Sequence, residues 1–191
     1  MKFGVSIFPT HFGASAIAIA IEAEKQGFES FFVSEHSHIP VATEYTKRPS
    51  DNRSSVATAL AQLIRRARYG LQQPHPPILV AGAGPNILKR VVSLGDGWLP
   101  VLAPQWDDSL SNKLTPLDAL PEMVDQTRRL EDELGRTRTT ITAMGLTPTH
   151  EFVDVLEENG VERMLLNLAN DNPKQAFEQL HAYGDSIKQY E

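Results

Sequence analysis

Two short stretches of this chain hold residue types that do chemistry. The first is FFVSEHSHIP at residues 31–40, where His36 and His38 stand behind an apolar run. A strand sends alternate side chains to one side, so the two imidazoles share a face and Glu35 takes the other. Histidines so placed serve as metal ligands, as proton-transfer groups beside a cofactor, or as one solvated residue and one partner of a backbone carbonyl. A metal site needs further ligands, and the other histidines are His11, His75, His150 and His181. His75 sits among prolines, and the last two fall at or within predicted helices. That shortage ranks a metal-dependent hydrolase using His36 and His38 last among the functions considered, and no metal is expected. His36 is favoured as functional because it falls just past the C-terminal end of a predicted parallel strand, where α/β folds place their ligands.

The second stretch is AGAGPN, residues 81–86, between the strand-like PILV and a helix-like run. Small residues let backbone N–H groups approach an anion, and a helix start adds a favourable dipole, so Ala81, Gly82, Ala83, Gly84, Pro85 and Asn86 form a candidate phosphate cradle. The loop is not the dinucleotide fingerprint, since the third glycine is missing and Pro85 intervenes. A tight turn that needs glycine accounts for the same residues equally well. In GDGW, residues 95–98, the expectation is a helix stop at Asp96 and a packed aromatic at Trp98. Ser34 and Glu35 offer hydrogen-bonding groups at a strand mouth, where a carboxylate is often only solvated, and the acidic LEDELG (130–135) is expected on an exposed helix face.

The elements that must position these residues follow a rhythm. KQGFESFFV (25–33) and ENGVERMLL (158–166) share one order: polar pair, Gly, apolar, Glu, polar, apolar strand. SLGDGWLPV (93–101) is a third version of this helix-to-strand joint. Parallel strands must be reached by crossovers, and repeated joints of this kind build parallel α/β folds. Strands are predicted at 2–8, 30–35, 77–82, 97–102, 139–144 and 161–167, and helices at 15–26, 54–68, 85–94, 119–134, 149–159 and 173–189. Ser15 suits the cap of the first helix and Gly27 the left-handed residue after it. The polar stretches 45–55 and 103–118 read as surface loops.

The chain has 191 residues with 41% hydrophobic content, which suits one domain, 1–191, with one sizeable core. Eighteen basic residues against 24 acidic ones give a net charge of −6, and the basic residues are scattered apart from the Arg65, Arg66, Arg68 cluster. Nucleic-acid binding, which needs a concentrated basic face, is therefore not expected. Cysteine is absent, which removes disulfides, thiolate metal sites and thiol nucleophiles. No apolar run reaches membrane-spanning length, so no membrane partner is expected and a cytoplasmic location is.

Taken together, MKFGVSIFPT, AEKQGFESFFVSEHSHIP, PHPPILVAGAGPNILKRVVSLGDGWLP and GVERMLLNL resemble the luciferase-like monooxygenase superfamily, in particular its coenzyme F420-dependent branch. The resemblance covers most of 1–44 and 73–168. It rests on S-E-H-x-H-I-P combined with P-P-I-L-V-x-G-x-G-P. It implies a TIM barrel and an F420- or FMN-dependent oxidoreductase or monooxygenase acting on a small-molecule substrate. His36 then resembles the active-site histidine near the deazaflavin ring. His38 is characteristic of the branch, and the loop 81–86 resembles the stretch that holds the cofactor phosphate.

A complete (β/α)8 barrel takes about 250 residues, and the interval 41–74 is too short for the two further βα units such a barrel places there. The expected fold is therefore a TIM-barrel-like parallel β/α sheet with about six of eight strands, incomplete or rearranged. Two unpaired edges then favour a homo-oligomer, unless 30–35 pairs directly with 77–82. A catalytically silent binding or oligomerisation module is the competing function.

Overall fold

The structure, a computed structural model, describes residues 1–8, 13–33, 77–104, 114–169 and 171–190. In chain order the elements are β1 (Lys2–Ile7), α1 (Ala16–Lys25), β2 (Ser30–Val33), β3 (Leu79–Ala81), α2 (Ile87–Leu94), β4 (Gly97–Leu99), β5 (Leu102–Ala103) and β6 (Thr115–Pro116). They continue with α3 (Leu120–Glu133), β7 (Thr140–Met144), α4 (His150–Glu158), β8 (Arg163–Asn167) and α5 (Pro173–Ile187). A 3₁₀ turn, Leu117–Ala119, leads into α3, and another, Lys188–Tyr190, follows α5.

Six strands form one sheet in the order β2-β1-β8-β7-β4-β3, every pairing parallel. The sheet is a curled half-barrel carrying its helices on one side, as the expected fold class has it. Direct pairing of the second strand with the third is corrected: β2 and β3 stand at opposite edges of the sheet. The helix expected at 54–68 and the loop at 45–55 lie outside the described residues. The strand expected at 97–102 is interrupted at Pro100, which has no N–H for a ladder. Val101 still bridges Met144, and the chain then enters β5, which pairs with β6. Part of the expected 103–118 loop is thus strand and 3₁₀ turn.

The repeated joints have a common physical basis. Gly27 and Gly160 follow α1 and α4 with φ of 87° and 67°, a conformation that favours glycine. The next residues, Phe28 and Val161, are buried. The glutamates that follow donate their backbone N–H to the neighbouring strand: Glu29 to Phe3 O at 2.9 Å, Glu162 to Ile141 O at 3.0 Å. The SLGDGW joint differs. Gly95 has φ −111°, and its glycine is required because a Cβ would lie 2.8 Å from Val80 Cγ2 and 3.1 Å from Val91 O.

Alternation divides the sheet into two faces. Phe3, Val5 and Ile7 of β1, Met164 and Leu166 of β8, Ile141 and Ala143 of β7 and Trp98 of β4 are buried in one core. They share it with Ile19, Val91, Val124, Val153, Leu156 and Leu180 of the helices. Each large aliphatic side chain removed from water here contributes about 1.5–3 kcal/mol. The opposite, concave face carries Gly4 and Ser6 of β1, Arg163, Leu165 and Asn167 of β8, Thr140 and Thr142 of β7, and Gly97 of β4, by strand parity and register. Gly4 has no room for a side chain, because a Cβ there would collide with Ser30 Oγ.

Helix starts follow the sequence. Ser15, Thr149 and Asn172 cap α1, α4 and α5 by accepting from Ala18, Phe152 and Gln175 N–H. The exposed acidic face expected at 130–135 is corrected at one residue. Glu131 is fully buried and paired with Arg128 and Arg138.

Candidate functional site

The residues 81–86 leave β3 at its C-terminal end and enter α2. Gly82 and Gly84 have φ of 132° and 104°, and a side chain at either position would strain the backbone. At Gly84 the space beyond is open, with nothing within 4 Å of a would-be Cβ, and at Gly82 the nearest atom is Ile87 Cδ1 at 3.4 Å. Glycine is therefore needed for conformation, and the outer side of the loop is free for a ligand to approach. Ala81, Gly84, Pro85 and Asn86 are all exposed.

The start of α2 continues this surface. Ile87 N–H bonds Gly84 O at 3.2 Å and Arg90 N–H bonds Asn86 O at 3.2 Å. Asn86 occupies the cap position at φ −107°, ψ 6°, and its side chain makes no capping hydrogen bond. The first turn holds no acidic residue, while Lys89 and Arg90 are exposed within it. A helix start of this kind favours an anion.

The supporting residues behave as structure. Asp96 Oδ2 accepts the Ile78 N–H at 2.8 Å, and Ile78 O accepts Asp96 N–H at 2.8 Å. The Asp96 side chain thus pins the approach to β3. Trp98 is fully buried. The bland reading of both residues is the one their contacts support.

His36 and His38, with Ser34 and Glu35, lie outside the described residues, as do His11 and His75. His150 packs edge-on against Tyr190, ring centroids 5.1 Å apart, and His181 Nε2 lies 3.2 Å from Glu22 Oε1. Among the described residues no group of three or more His, Cys, Asp and Glu side chains could hold a metal ion.

Sequence reasoning missed two polar groups on the concave face. At its base, Arg163 Nε and Nη2 donate to the Glu29 carboxylate at 2.7 and 2.9 Å, and Nη1 donates to Thr142 Oγ1 at 3.2 Å. The Arg163 guanidinium lies 6.0 Å from the Phe32 ring centroid and holds the Glu29 carboxyl below its ordinary pKa. Near the opposite end of the strands, Ser6 Oγ donates to Asn167 Oδ1 at 2.6 Å. The alternation in KFGVSI and RMLLN could have placed both on the inner face, yet the strand pairing that joins β1 to β8 is not written in either segment.

No family model matches this chain, and no curated protein does. Among solved structures, the (S)-3-O-geranylgeranylglyceryl phosphate synthase of Thermoplasma acidophilum, in complex with its substrate sn-glycerol-1-phosphate, is similar over 98% of this chain and 94% of that one. The TM-score is 0.50 and the identity 12%. A pyridoxal kinase of Leishmania donovani, in complex with ADP and ginkgotoxin, covers 96% of this chain and 60% of that one at TM-score 0.24 and 14% identity. The second likeness carries no argument; the first concerns the fold.

These findings correct the expected identity. The structural likeness is to a synthase, and no family model or curated relative supports the luciferase-like superfamily, an F420- or flavin-dependent oxidoreductase, or a monooxygenase. The silent module and the metal hydrolase gain no support either. The physical reason lies in the motifs. The glycines of AGAGPN serve positive φ, Gly95 makes room for Val80, Asp96 caps the Ile78 N–H and Trp98 fills the core. A parallel β/α sheet asks for such residues whatever its chemistry, so their pattern does not single out one family.

Proposed function

We propose that this half-barrel binds a phosphorylated small molecule as its substrate at the C-terminal rim of the sheet, with the phosphate in the 81–86 loop. One observation carries the reading. The loop combines two positive-φ glycines, open space beside Gly84 and an uncapped helix start free of acidic residues. Backbone N–H groups and the helix dipole then supply the anion contacts, and Lys89 and Arg90 add long-range attraction. The similarly folded synthase holds a glycerol phosphate, which supports a phosphate ester as the ligand class. Coenzyme F420 and FMN also carry phosphate and belong to this proposal as ligands of the same loop.

The proposal extends to assembly and location. Strands β2 and β3 end the sheet among the described residues, and their edge groups favour pairing with a second copy. No helix among the described residues is long and apolar enough to cross a membrane; a cytoplasmic location is part of the proposal.

Isothermal titration with sn-glycerol 1-phosphate, inorganic phosphate, F420 and FMN tests the reading. Saturable binding of phosphate esters that is lost in Gly84→Val, with the variant still folded, supports it. No binding of any of the four to folded protein overturns it.

A further inference from the structure

Asn167 is the last residue of β8, which lies between β1 and β7 in the middle of the sheet. It is opposite Ser6 in the parallel register. Ser6 is 4% exposed, and its hydroxyl donates to Asn167 Oδ1 at 2.6 Å. The backbone reinforces this pairing, because Leu168 N–H bonds Ser6 O at 2.9 Å. With Oδ1 occupied by Ser6, the carboxamide orientation is set. Its Nδ2 group carries two further donors, and neither has a partner among the described residues. Asn167 itself is exposed. A buried hydroxyl thus holds an outward-facing pair of neutral donors on the concave face, at the strand end where parallel sheets bind ligands.

We propose that Asn167 is the second contact of the rim site, a neutral donor for an acceptor oxygen at the far end of a nucleotide-sized phosphate ester. This rests on the phosphate reading of the 81–86 loop. Three interstrand spacings separate β8 from β3 in the order β8-β7-β4-β3. At about 4.8 Å each they amount to roughly 14 Å along the sheet. The sheet is curled, so the straight distance across it is shorter, and hydrogen bonds of about 3 Å at each end leave at most roughly 8 Å between the ligand's terminal polar atoms. A phosphate ester bearing a ring with carbonyl oxygens reaches across this span, and a neutral amide suits a carbonyl better than a second anion. Ser6 acts through Asn167 and is a positioning residue.

Calorimetric titration with inorganic phosphate and with uridine 5′-monophosphate tests this in wild type, Asn167→Leu and Ser6→Ala. Wild type should bind the nucleotide at least about tenfold more tightly than phosphate, and Asn167→Leu should lose about tenfold for the nucleotide alone. Ser6→Ala should lose about threefold for the nucleotide, with phosphate unchanged. Should Asn167→Leu not fold, Asn167→Asp takes its place. It keeps an acceptor for Ser6 but has no donor, and its charge is screened from the loop beyond a Debye length of about 8 Å. Unchanged nucleotide affinity in the Asn167 variant, or an equal loss for phosphate, overturns the assignment while the phosphate reading stands. A wild type that binds neither probe overturns both.

Discussion

Glu131 and Thr139 meet across the turn between α3 and β7. One carboxylate oxygen accepts both the Thr139 backbone N–H at 2.7 Å and its hydroxyl at 2.6 Å. Arg128 and Arg138 reach the same carboxylate at 3.0 and 3.1 Å, and Arg128 also bonds Thr139 O at 2.9 Å. A fully buried charge persists here because every lone-pair direction finds a donor. The group ties the end of a helix to the start of a central strand.

Glu131→Ala should therefore be among the most destabilising single changes. Removing one partner of a buried ionic group typically costs about 3–5 kcal/mol. Glu131→Gln keeps the volume and one acceptor and should cost about 1–3 kcal/mol. Urea unfolding of both variants checks the order; equal stability of wild type and Glu131→Ala would contradict it.

Acid should unfold the protein through the same group. Burial alone would raise the Glu131 pKa, and the hydrogen bonds from Thr139, Arg138 and Arg128 outweigh it, so the folded value falls below the ordinary 4.5. Arg163 lowers that of Glu29 from the same value. A depressed carboxylate contributes stability that is fully present above its unfolded pKa and is lost as pH falls through the folded one. Urea midpoints should thus be insensitive to these two groups above about pH 6 and decline below about 4.5. Glu131→Gln should show a shallower decline than wild type.

Strands and helices were legible where a local signal carries them. Gly27 and Gly160 announce helix ends, Ser15 announces a start, and the alternation of β1 is plain. What depends on distant partners was not legible. LEDELG reads as a solvated acidic run, and only packing against Thr139 makes Glu131 a buried hub. Ser6 meets Asn167 across 161 positions of sequence, so neither segment alone reveals the pair. Of the candidate site, the 81–86 loop was readable from its glycines, whereas the resemblance built on the same residues led to a wrong family. Glycine reports what the backbone needs, and many sheets have that need.

Two glycines should respond differently to a side chain. At Gly97 a Cβ would lie 2.5 Å from Leu79 Cδ2 and 2.9 Å from Thr140 O, inside the ladder that joins β3, β4 and β7. Gly97→Ala should force the strands apart, at a cost comparable to core overpacking, about 1–3 kcal/mol or more. At Gly84 the space is open and only the φ of 104° is unfavourable, so Gly84→Ala should cost about 1–2 kcal/mol. Thermal melts of the two variants should rank Gly97→Ala below Gly84→Ala, and the reverse order would mean that the ladder relaxes freely around residue 97.

The sheet edges set the last expectation. β2 runs Ser-Phe-Phe-Val and β3 Leu-Val-Ala, and every residue in them is at least partly accessible. Neither strand carries a charged residue or a proline, the usual means by which an edge is protected from another chain. The described helices cover one face of the sheet. Two copies joined along these strands would satisfy the outer backbone groups of both edges. Sedimentation velocity at low micromolar concentration should therefore find a dimer or larger assembly. A wild-type monomer stable across the concentration range would show that the edges are covered within one chain.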